Sequence, residues 1–468
     1  MDWQSRMDNG WVLSWLILVL CISSRSAIAE ENIPTVRPHP NIVVLLTDDQ
    51  RFDTLGCLGN KLIQTPHIDA LAKQGVVFTN CFCTTSICAT SRACLLTGQY
   101  ARRHGIWNFQ ANLEGDAWRN TFPALLRAQG YRTGFVGKWG VGDKLPKEQY
   151  DYFTGFPGQG RYYEKADTKL ERHLNRAMSR EALEFLAGCS PEQPFCLQVS
   201  FKSAHAQDGE PWAYPSETRY QGLYQDVTIP PPPTATERHF LALPKFLQES
   251  EGHHRWLPRF ATPQLYQSSV KDYYRLITGM DAVVGEIVAD LKTHHLLDDT
   301  LIIFVSDNGY YLGDYGLADK WFMHEPSIRL PLVIFDPRLA QEQRGSRREQ
   351  MVLNIDLAPT ILAAAGIAIP ANMQGRDLSP LLQGKNPKWR DEFFYEHLFE
   401  HPAIPQCEGV RTSRWKYVRY VTLDPPVEQL FDLQTDPLEE RDLAPDAQHA
   451  GQLEALRARW RLLRQELK

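Results

Sequence analysis

The sequence has no Cys-x-x-Cys pair, although it contains 9 cysteines. Structural zinc sites usually take their thiolates from such closely spaced pairs. The nearest approach, Cys81-Phe82-Cys83, has no second pair of cysteines or histidines to complete a tetrahedral site, so a structural zinc ion is not expected. All cysteines except Cys21 lie beyond residue 29, and outside the cytoplasm Cys189 and Cys196 are close enough in sequence to close a short disulfide loop.

An excess of basic residues is also missing, since the formal net charge is −6. Binding to nucleic acid or to an anionic membrane by overall charge is therefore excluded, and an anionic substrate would need a local group of basic residues. The hydrophobic content of 43% is ordinary for a globular protein. A chain of 468 residues suits one large α/β domain with a smaller unit.

No apolar run is long enough to span a bilayer. The longest candidate, residues 11–22, follows Arg6 and precedes Ala27-Ile28-Ala29, which is the pattern of a secretory signal peptide. We predict a signal peptide over residues 1–29, a secreted or periplasmic location, and no membrane association after cleavage. Retention of the segment as an N-terminal anchor is the alternative.

The sequence contains no internal repeat. Its apolar segments are typical of separate buried strands, and each ends in polar or glycine-rich residues. These segments are 41–46, 133–136, 195–201, 301–305 and 332–335. Continuous apolar runs without alternation predict a parallel sheet that is covered on both faces. An amphipathic helix over 270–291 fits between two of them. The fold class is therefore predicted as a large, doubly wound, mainly parallel α/β domain.

Two segments depart from this plan. Residues 205–262 contain four consecutive prolines at 230–233 and are predicted as an irregular surface excursion, either a lid or plain decoration. After residue 385 the pattern becomes short strands with turns, at 393–398, 410–421 and 429–433, followed by a helix over 447–467. We predict a catalytic domain over 38–385 and a C-terminal subdomain of antiparallel sheet and helix over 386–468.

Residues 86–98 place Cys88 four residues before Arg92 at the start of a short apolar helix. A Ser or Thr before the helix suits an N-cap, and Gly98 suits the stop. Cys88 would lie at the positive end of the helix with Arg92 one turn away, and both features favour an anion. The alternative is a buried thiol in a helical turn.

Charged and amide side chains follow two of the predicted strands. Asp48 and Asp49 come after the first, and Asp307 and Asn308 come after the fourth. An oxygen-only set of this kind suits calcium or magnesium better than zinc. Solvated loop residues are the alternative for the Asp pair, but adjacent buried carboxylates at a sheet edge need a cation.

Cys88-x-x-x-Arg92, followed by Leu-Thr-Gly at 96–98, resembles the signature of the formylglycine-dependent sulfatases, which belong to the alkaline phosphatase-like superfamily. Residues 306–320 resemble a second signature of that family. The resemblance continues through 327–333 and reaches residues 431–437, so it covers nearly the whole chain beyond residue 41.

The resemblance implies that a maturation enzyme oxidises Cys88 to formylglycine, whose hydrate attacks sulfur, while Arg92 helps to hold the hydrate. It implies a divalent metal on Asp48, Asp49, Asp307 and Asn308, with calcium expected and magnesium as the alternative. It also implies that Lys138 and Lys320 bind sulfate oxygens and that His205 contacts sulfate and assists the leaving group. The alternative is that Lys138 and Lys320 are surface lysines and that His205 is an exposed loop histidine.

Two positions depart from the family pattern. Thr90 stands where proline or alanine is usual, and this bears on recognition by the maturation enzyme. Gly140 stands where many members carry a histidine two residues after the lysine, so the role of that histidine is not transferred to this chain.

The predicted function is a secreted sulfatase that cleaves a sulfate ester, with a sulfated carbohydrate as the substrate. Glu396, His397, His401 and Arg411 are polar residues near strand ends that would suit sugar hydroxyls or a uronate, with a solvated surface as the alternative. A phosphodiester or phosphonate ester hydrolase of the same superfamily is the second hypothesis, because fold alone does not decide the reaction. A non-catalytic carbohydrate-binding protein is the third.

Overall fold

The computed structural model describes residues 39–163, 172–209 and 212–468. A sheet of nine strands lies at the centre of the fold. The strands of this sheet are β1 (Asn41–Thr47), β2 (Val76–Phe82), β3 (Arg132–Lys138), β4 (Tyr152–Phe156), β5 (Phe195–Ser200), β6 (Thr300–Ser306), β9 (Arg329–Phe335), β10 (Ser346–Arg348) and β11 (Val352–Leu353). A two-stranded ribbon, β7 (Tyr311–Leu312) and β8 (Ala318–Asp319), lies outside it.

The sheet order is β10-β2-β9-β6-β1-β5-β3-β4, with β11 also paired to β2. Neighbours in the central part, from β6 through β1, β5 and β3 to β4, are parallel. The mainly parallel α/β plan predicted from sequence is confirmed. Strand β9 is an exception, because it pairs antiparallel with both β2 and β6. It is buried on both faces, so its apolar run looks like that of a parallel strand.

Alternate residues of β1 enter two separate hydrophobic cores, with Ile42 and Val44 in one and Val43 and Leu45 in the other. Helices cover both faces, as the unbroken apolar runs predicted. They are α1 (Pro66–Gln74), α2 (Cys88–Thr97), α3 (Ala101–His104), α4 (Gly115–Arg119), α5 (Phe122–Ala128), α6 (Leu174–Ala187), α7 (Glu237–Ala242), α8 (Lys245–Gln248), α9 (Glu251–Phe260), α10 (Pro263–Thr293), α11 (Glu325–Ile328), α12 (Leu357–Ala364), α13 (Ser379–Leu382) and α14 (Ala450–Glu466).

The C-terminal part contains a four-stranded antiparallel sheet, β12 (Glu392–His397), β13 (Cys407–Thr412), β14 (Trp415–Tyr420) and β15 (Val427–Asp432), with α14 after it. The predicted segment 410–421 is two strands, because the chain turns between Thr412 and Trp415. Phe394, Tyr395 and Leu453 from this part share a hydrophobic core with one face of the main sheet. The boundary at residues 385 and 386 remains a prediction.

Two expectations about connecting segments are wrong. The excursion over 205–262 is not simply irregular, since α7, α8 and α9 lie within it. Cys189 and Cys196 do not form a disulfide, and both are free, as are the other six cysteines of the described residues. Cys196 is fully buried within β5, whereas Cys189 lies just beyond the end of α6.

No helix within residues 39–163, 172–209 and 212–468 is long and apolar enough to cross a membrane. The predicted signal peptide, residues 1–29, lies outside the described residues.

Candidate active site

The predicted site residues come together because four adjacent parallel strands end at the same edge of the sheet. Asp48 and Asp49 follow β1, Asp307 and Asn308 follow β6, Lys138 ends β3, and the loop after β5 leads to His205. The carboxyl ends of parallel strands form the crevice in which open α/β sheets place their ligands. All of these side chains are buried.

Helix α2 begins at Cys88, so the thiol lies at the N-terminal end of the helix dipole, as predicted. Gly98 ends the helix in the left-handed conformation, with φ of 64°. The expected Ser or Thr cap is wrong, because Ile87 holds the cap position and the Ser86 hydroxyl contacts Ser327 instead.

Cys88 lies against the metal-competent carboxylates, with its Sγ donating to Asp48 Oδ1 at 3.3 Å. Burial and the charge of Asp48 raise the pKa of the thiol well above its ordinary value. Because a thiolate is the nucleophilic form of cysteine, the unmodified thiol is a poor nucleophile in this position.

Arg92 connects the ends of four strands, β6, β1, β3 and β5. Its Nε donates to Asp307 Oδ2 at 2.9 Å, its Nη2 lies 3.2 Å from Asp48 Oδ2, and its Nη1 donates to the Lys138 carbonyl at 2.9 Å and to Ser200 Oγ at 2.5 Å. Most of the guanidinium is thereby committed to protein groups, although its buried Nη2 has an ion pair and no hydrogen bond. It holds Asp48 and Asp307 in place and compensates their charge.

Gly140, at the position where the family resemblance would place a histidine, leaves room for this arginine. A Cβ at residue 140 would lie 2.8 Å from Arg92 Cδ, and the backbone has a φ of +72°. Both the space and the left-handed conformation therefore favour glycine here.

The two lysines each neutralise one aspartate. Lys138 Nζ donates to Asp48 Oδ2, and Lys320 Nζ donates to Asp49 Oδ1 at 2.6 Å and Oδ2 at 2.7 Å. Burial alone would raise the pKa of Asp48, but the charges of Lys138 and Arg92 lower it below the ordinary range. Burial raises the pKa of Asp49 to about 7 despite Lys320.

Burial and the charge of Asp48 also raise the pKa of Asp307. The raised pKa values of Asp49 and Asp307 indicate that these two buried carboxylates are incompletely compensated, and a cation would relieve them. Ligand atoms of Asp48, Asp49, Cys88 and His205 lie within 4.8 Å of one another. Asp307 is not part of this group. Its Oδ2 accepts from Arg92 Nε, and its Oδ1 accepts from the Asp49 backbone N–H at 3.3 Å.

Asn308 completes the oxygen set. Its Nδ2 donates to Asp49 Oδ1 at 2.6 Å, and its buried Oδ1 has no hydrogen-bond partner. Exchanging the amide oxygen and nitrogen would turn the oxygen toward Asp49, an orientation that a cation between them would stabilise. The four predicted ligands thus fit a hard divalent cation by donor type.

His205 is buried with one nitrogen engaged. Its Nδ1 lies 2.5 Å from the Ala206 carbonyl, and its Nε2 lies 3.5 Å from Asp49 Oδ2. Burial and Lys320 lower its pKa well below the ordinary value, so the ring is neutral without substrate. Nδ1–H then donates to Ala206, and Nε2 is the nitrogen that can exchange a proton.

Three further residues of the site were not singled out from sequence. Gln159 Oε1 accepts from Lys138 Nζ at 2.5 Å, Gln50 directly follows Asp49 with a buried side-chain amide that has no partner, and Lys202 precedes His205 on the same loop. Gln50 and Lys202 could have been predicted as site residues, because they lie next to the Asp pair and close to His205 in sequence. Gln159 lies between two glycines, and no neighbouring motif indicates that it belongs to the site.

Two of the polar residues proposed for sugar contacts lie in the interior. Glu396 is fully buried and paired with Arg102, and His397 is fully buried with a pKa lowered to about 3 by burial. They do not form a substrate surface in this structure. Arg411 lies 4.8 Å over the Phe82 ring, and His401 stacks on Phe399.

The family model for sulfatases matches residues 40–367, and the model for the N-sulphoglucosamine sulphohydrolase C-terminal region matches 313–466. An N-acetylglucosamine-6-O-sulfatase of Bacteroides thetaiotaomicron is 27% identical, over 93% of this chain and 88% of that protein. A solved structure described as in complex with its substrate D-glucosamine-2-N,6-O-disulfate has a TM-score of 0.80 and 25% identity, over 92% of this chain and 97% of the other.

A phosphonate monoester hydrolase of Agrobacterium radiobacter has a TM-score of 0.75 at 22% identity, over 92% of this chain and 96% of the other, and shares the fold. The sulfatase model spans most of the chain, from the first strand through α12, and includes every predicted catalytic and metal-binding residue. The chain therefore belongs to the sulfatase family of sulfuric ester hydrolases, within the alkaline phosphatase-like superfamily.

Proposed function

We propose that this protein hydrolyses the sulfate ester of a sulfated carbohydrate, using Cys88 after its oxidation to formylglycine and a divalent cation. The observation that carries the proposal is the meeting of Cys88, three buried carboxylates and two buried lysines at one edge of the sheet. The raised pKa of the Cys88 thiol supports the modification, since the unmodified thiol is a poor nucleophile. We further propose export directed by residues 1–29, which an N-terminal sequence beginning at Glu30 would test.

In the proposed reaction Lys138 and Lys320 neutralise the sulfate oxygens as the bond between sulfur and the leaving oxygen breaks. Arg92 keeps Asp48 and Asp307 in position. The hydrated formylglycine would supply one hydroxyl that attacks sulfur and a second whose deprotonation releases sulfate and restores the aldehyde. His205 Nε2 would give its proton to the leaving oxygen, and an anionic ester beside the ring would favour the protonated form.

Asp48, Asp49, Asp307 and Asn308 would hold the cation, which lowers the pKa of a hydroxyl bound to it. We expect active protein to contain one equivalent of calcium, or of magnesium, per chain. Elemental analysis of a purified active preparation measures this directly. One equivalent of zinc with neither calcium nor magnesium would contradict the assignment, because the set is made of oxygen donors.

The proton-donor role of His205 predicts a dependence on the leaving group. Assistance by a general acid typically contributes about 10²–10⁴ in rate, and it matters least when the leaving group is already a good one. We expect His205→Ala to slow hydrolysis of a sugar or alkyl sulfate by about this factor, and an activated aryl sulfate far less. His254→Ala is the control, since its side chain is 57% exposed on α9. Equal losses on both substrates would refute the role.

The substrate class is proposed from the printed names of the relatives, in which 6-sulfated N-acetylglucosamine and disulfated glucosamine recur. We expect kcat/KM for a sulfated glucosamine or an oligosaccharide containing it to exceed that for a generic aryl sulfate. The test is a panel of sulfated mono-, oligo- and polysaccharides beside an aryl sulfate and a phosphonate ester. Inert sugars with efficient aryl or alkyl sulfate turnover would overturn the carbohydrate assignment. Hydrolysis of the phosphonate ester faster than every sulfate ester would overturn the assignment of the reaction as sulfate ester hydrolysis.

A further inference from the structure

Lys202 lies on the loop between β5 and His205, and this loop is fixed to the strand end that carries the Asp pair. The Asp48 N–H donates to the Ser203 carbonyl at 3.0 Å, and the Ala204 N–H donates to the Asp48 carbonyl at 2.7 Å. The Tyr162 hydroxyl, in turn, donates to the Lys202 and His205 carbonyls at 3.2 and 2.8 Å. The backbone of Lys202 therefore has a fixed position beside the site.

The Lys202 ammonium has no carboxylate partner among the described residues, although the side chain is buried, with 1% of the residue exposed. Its Nζ lies 3.4 Å from the Ala206 carbonyl and 5.0 Å from the centre of the Tyr162 ring. The other buried lysines of the described chain are paired: Lys138 with Asp48, Lys320 with Asp49, and Lys416 with Glu325 and Glu439. A buried, unpaired charge destabilises the free protein, and a bound anion would compensate it.

Most of the charges around Lys202 are those of the catalytic centre. Burial and then repulsion by Lys138 lower the pKa of Lys202 to about 8, while Asp48, Asp208 and Asp49 act in the opposite direction. At neutral pH the group therefore remains mostly an ammonium. It also contributes to the lowered pKa of His205, together with Lys320 and Lys138.

We propose that Lys202 is a further substrate-binding residue, a third ammonium that contacts the anionic oxygens of the sulfate group on the side of the site shared by Lys138 and His205. This inference rests on the proposed sulfatase function. In the free protein Lys138 and Lys320 each pair with an aspartate, whereas Lys202 has no carboxylate partner among the described residues. Lys202 would therefore add a third positive charge to the two that those lysines bring to the sulfate group.

The test uses Lys202→Met, which keeps the length of the side chain and removes its charge, and Lys202→Arg, which keeps the charge. Calorimetric titration with inorganic sulfate measures binding without turnover. We expect Lys202→Met to weaken sulfate binding about 10- to 100-fold, the usual effect of losing a charge-assisted hydrogen bond, and to raise KM for a sulfate ester. Lys202→Arg should retain more of the affinity than Lys202→Met.

Thermal unfolding in sulfate-free buffer separates a binding role from a structural one. Loss of an unpaired buried charge should leave the Tm of Lys202→Met unchanged or higher, and sulfate should then raise that Tm less than it raises the wild-type Tm. Lys416→Met is the matched control, because that lysine is buried but paired with Glu325 and Glu439, so its loss should lower Tm.

Sulfate affinity within twofold of wild type in Lys202→Met, or a fall in Tm like that of Lys416→Met with no loss of affinity, would overturn the inference. Failure of the proposed function gives a different result: the wild-type protein would turn over no sulfate ester while inorganic sulfate still bound in a Lys202-dependent way. A wild-type protein that does not bind sulfate would overturn the inference as well.

Discussion

Cys88→Ala is expected to abolish turnover of every sulfate ester while the protein stays folded. The substitution removes the atom that is converted to the reactive aldehyde, so no replacement nucleophile remains. The structural cost should be no more than about 1 kcal/mol in the free energy of unfolding, because one buried sulfur atom with a single contact to Asp48 is lost. Activity assays together with denaturant unfolding of the same preparation measure both effects.

Cys94→Ala provides the matched control for this substitution. Cys94 is buried on the same helix, and its sulfur contacts His104 Nε2 at 3.2 Å rather than a carboxylate of the site. A similar change in stability with retained activity is expected. Substantial activity in Cys88→Ala would contradict the assignment of the nucleophile.

Arg92→Met is expected to give the second large effect, on stability as well as on activity. The guanidinium pairs with two buried carboxylates, and removing it leaves Asp307 without its cationic partner and Asp48 with Lys138 alone. Breaking a buried ion pair from one side typically costs about 3–5 kcal/mol. We expect a decrease of that order in the free energy of unfolding and a loss of activity of at least about 100-fold, since Asp48 and Asp307 are no longer held in place.

Arg119→Met is the control for Arg92→Met. Arg119 pairs with Asp116, but its side chain is 71% exposed, and a change within about 0.5 kcal/mol is expected for such a surface residue. Urea unfolding and kcat/KM of both variants provide the measurements. An Arg92→Met protein as stable as the Arg119→Met protein would show that Arg92 does not compensate the buried carboxylates.

The main sheet was predictable because its central strands carry uninterrupted apolar runs that end in polar residues, as 41–46 and 301–305 do. Direction was less predictable, because β9 is as apolar as its parallel neighbours and nothing within 332–335 encodes its antiparallel pairing. Helices α7 to α9 were not predicted, because the four prolines at 230–233 favour irregular structure and the helices lie in the same segment of the chain.

The predicted metal-binding residues lie at the edge where the strand ends meet, since they directly follow two strands that the sequence marks clearly. Sequence could not predict which ion pairs they form. That Lys138 pairs with Asp48 and Lys320 with Asp49 depends on the order of strands in the sheet. The burial of Glu396 and His397 likewise follows from tertiary packing, because polar residues at strand ends look like surface residues in sequence.

The most direct test of the central claim is a mass spectrum of the Cys88 peptide from a preparation whose sulfatase activity has been measured. The sequence Cys88-Ala89-Thr90-Ser91-Arg92 makes this informative, since Thr90 departs from the residue usual for the maturation enzyme. Formylglycine at residue 88, in a fraction of molecules that rises and falls with specific activity, is the predicted result. Full activity with an unmodified thiol at Cys88 would contradict the proposed mechanism.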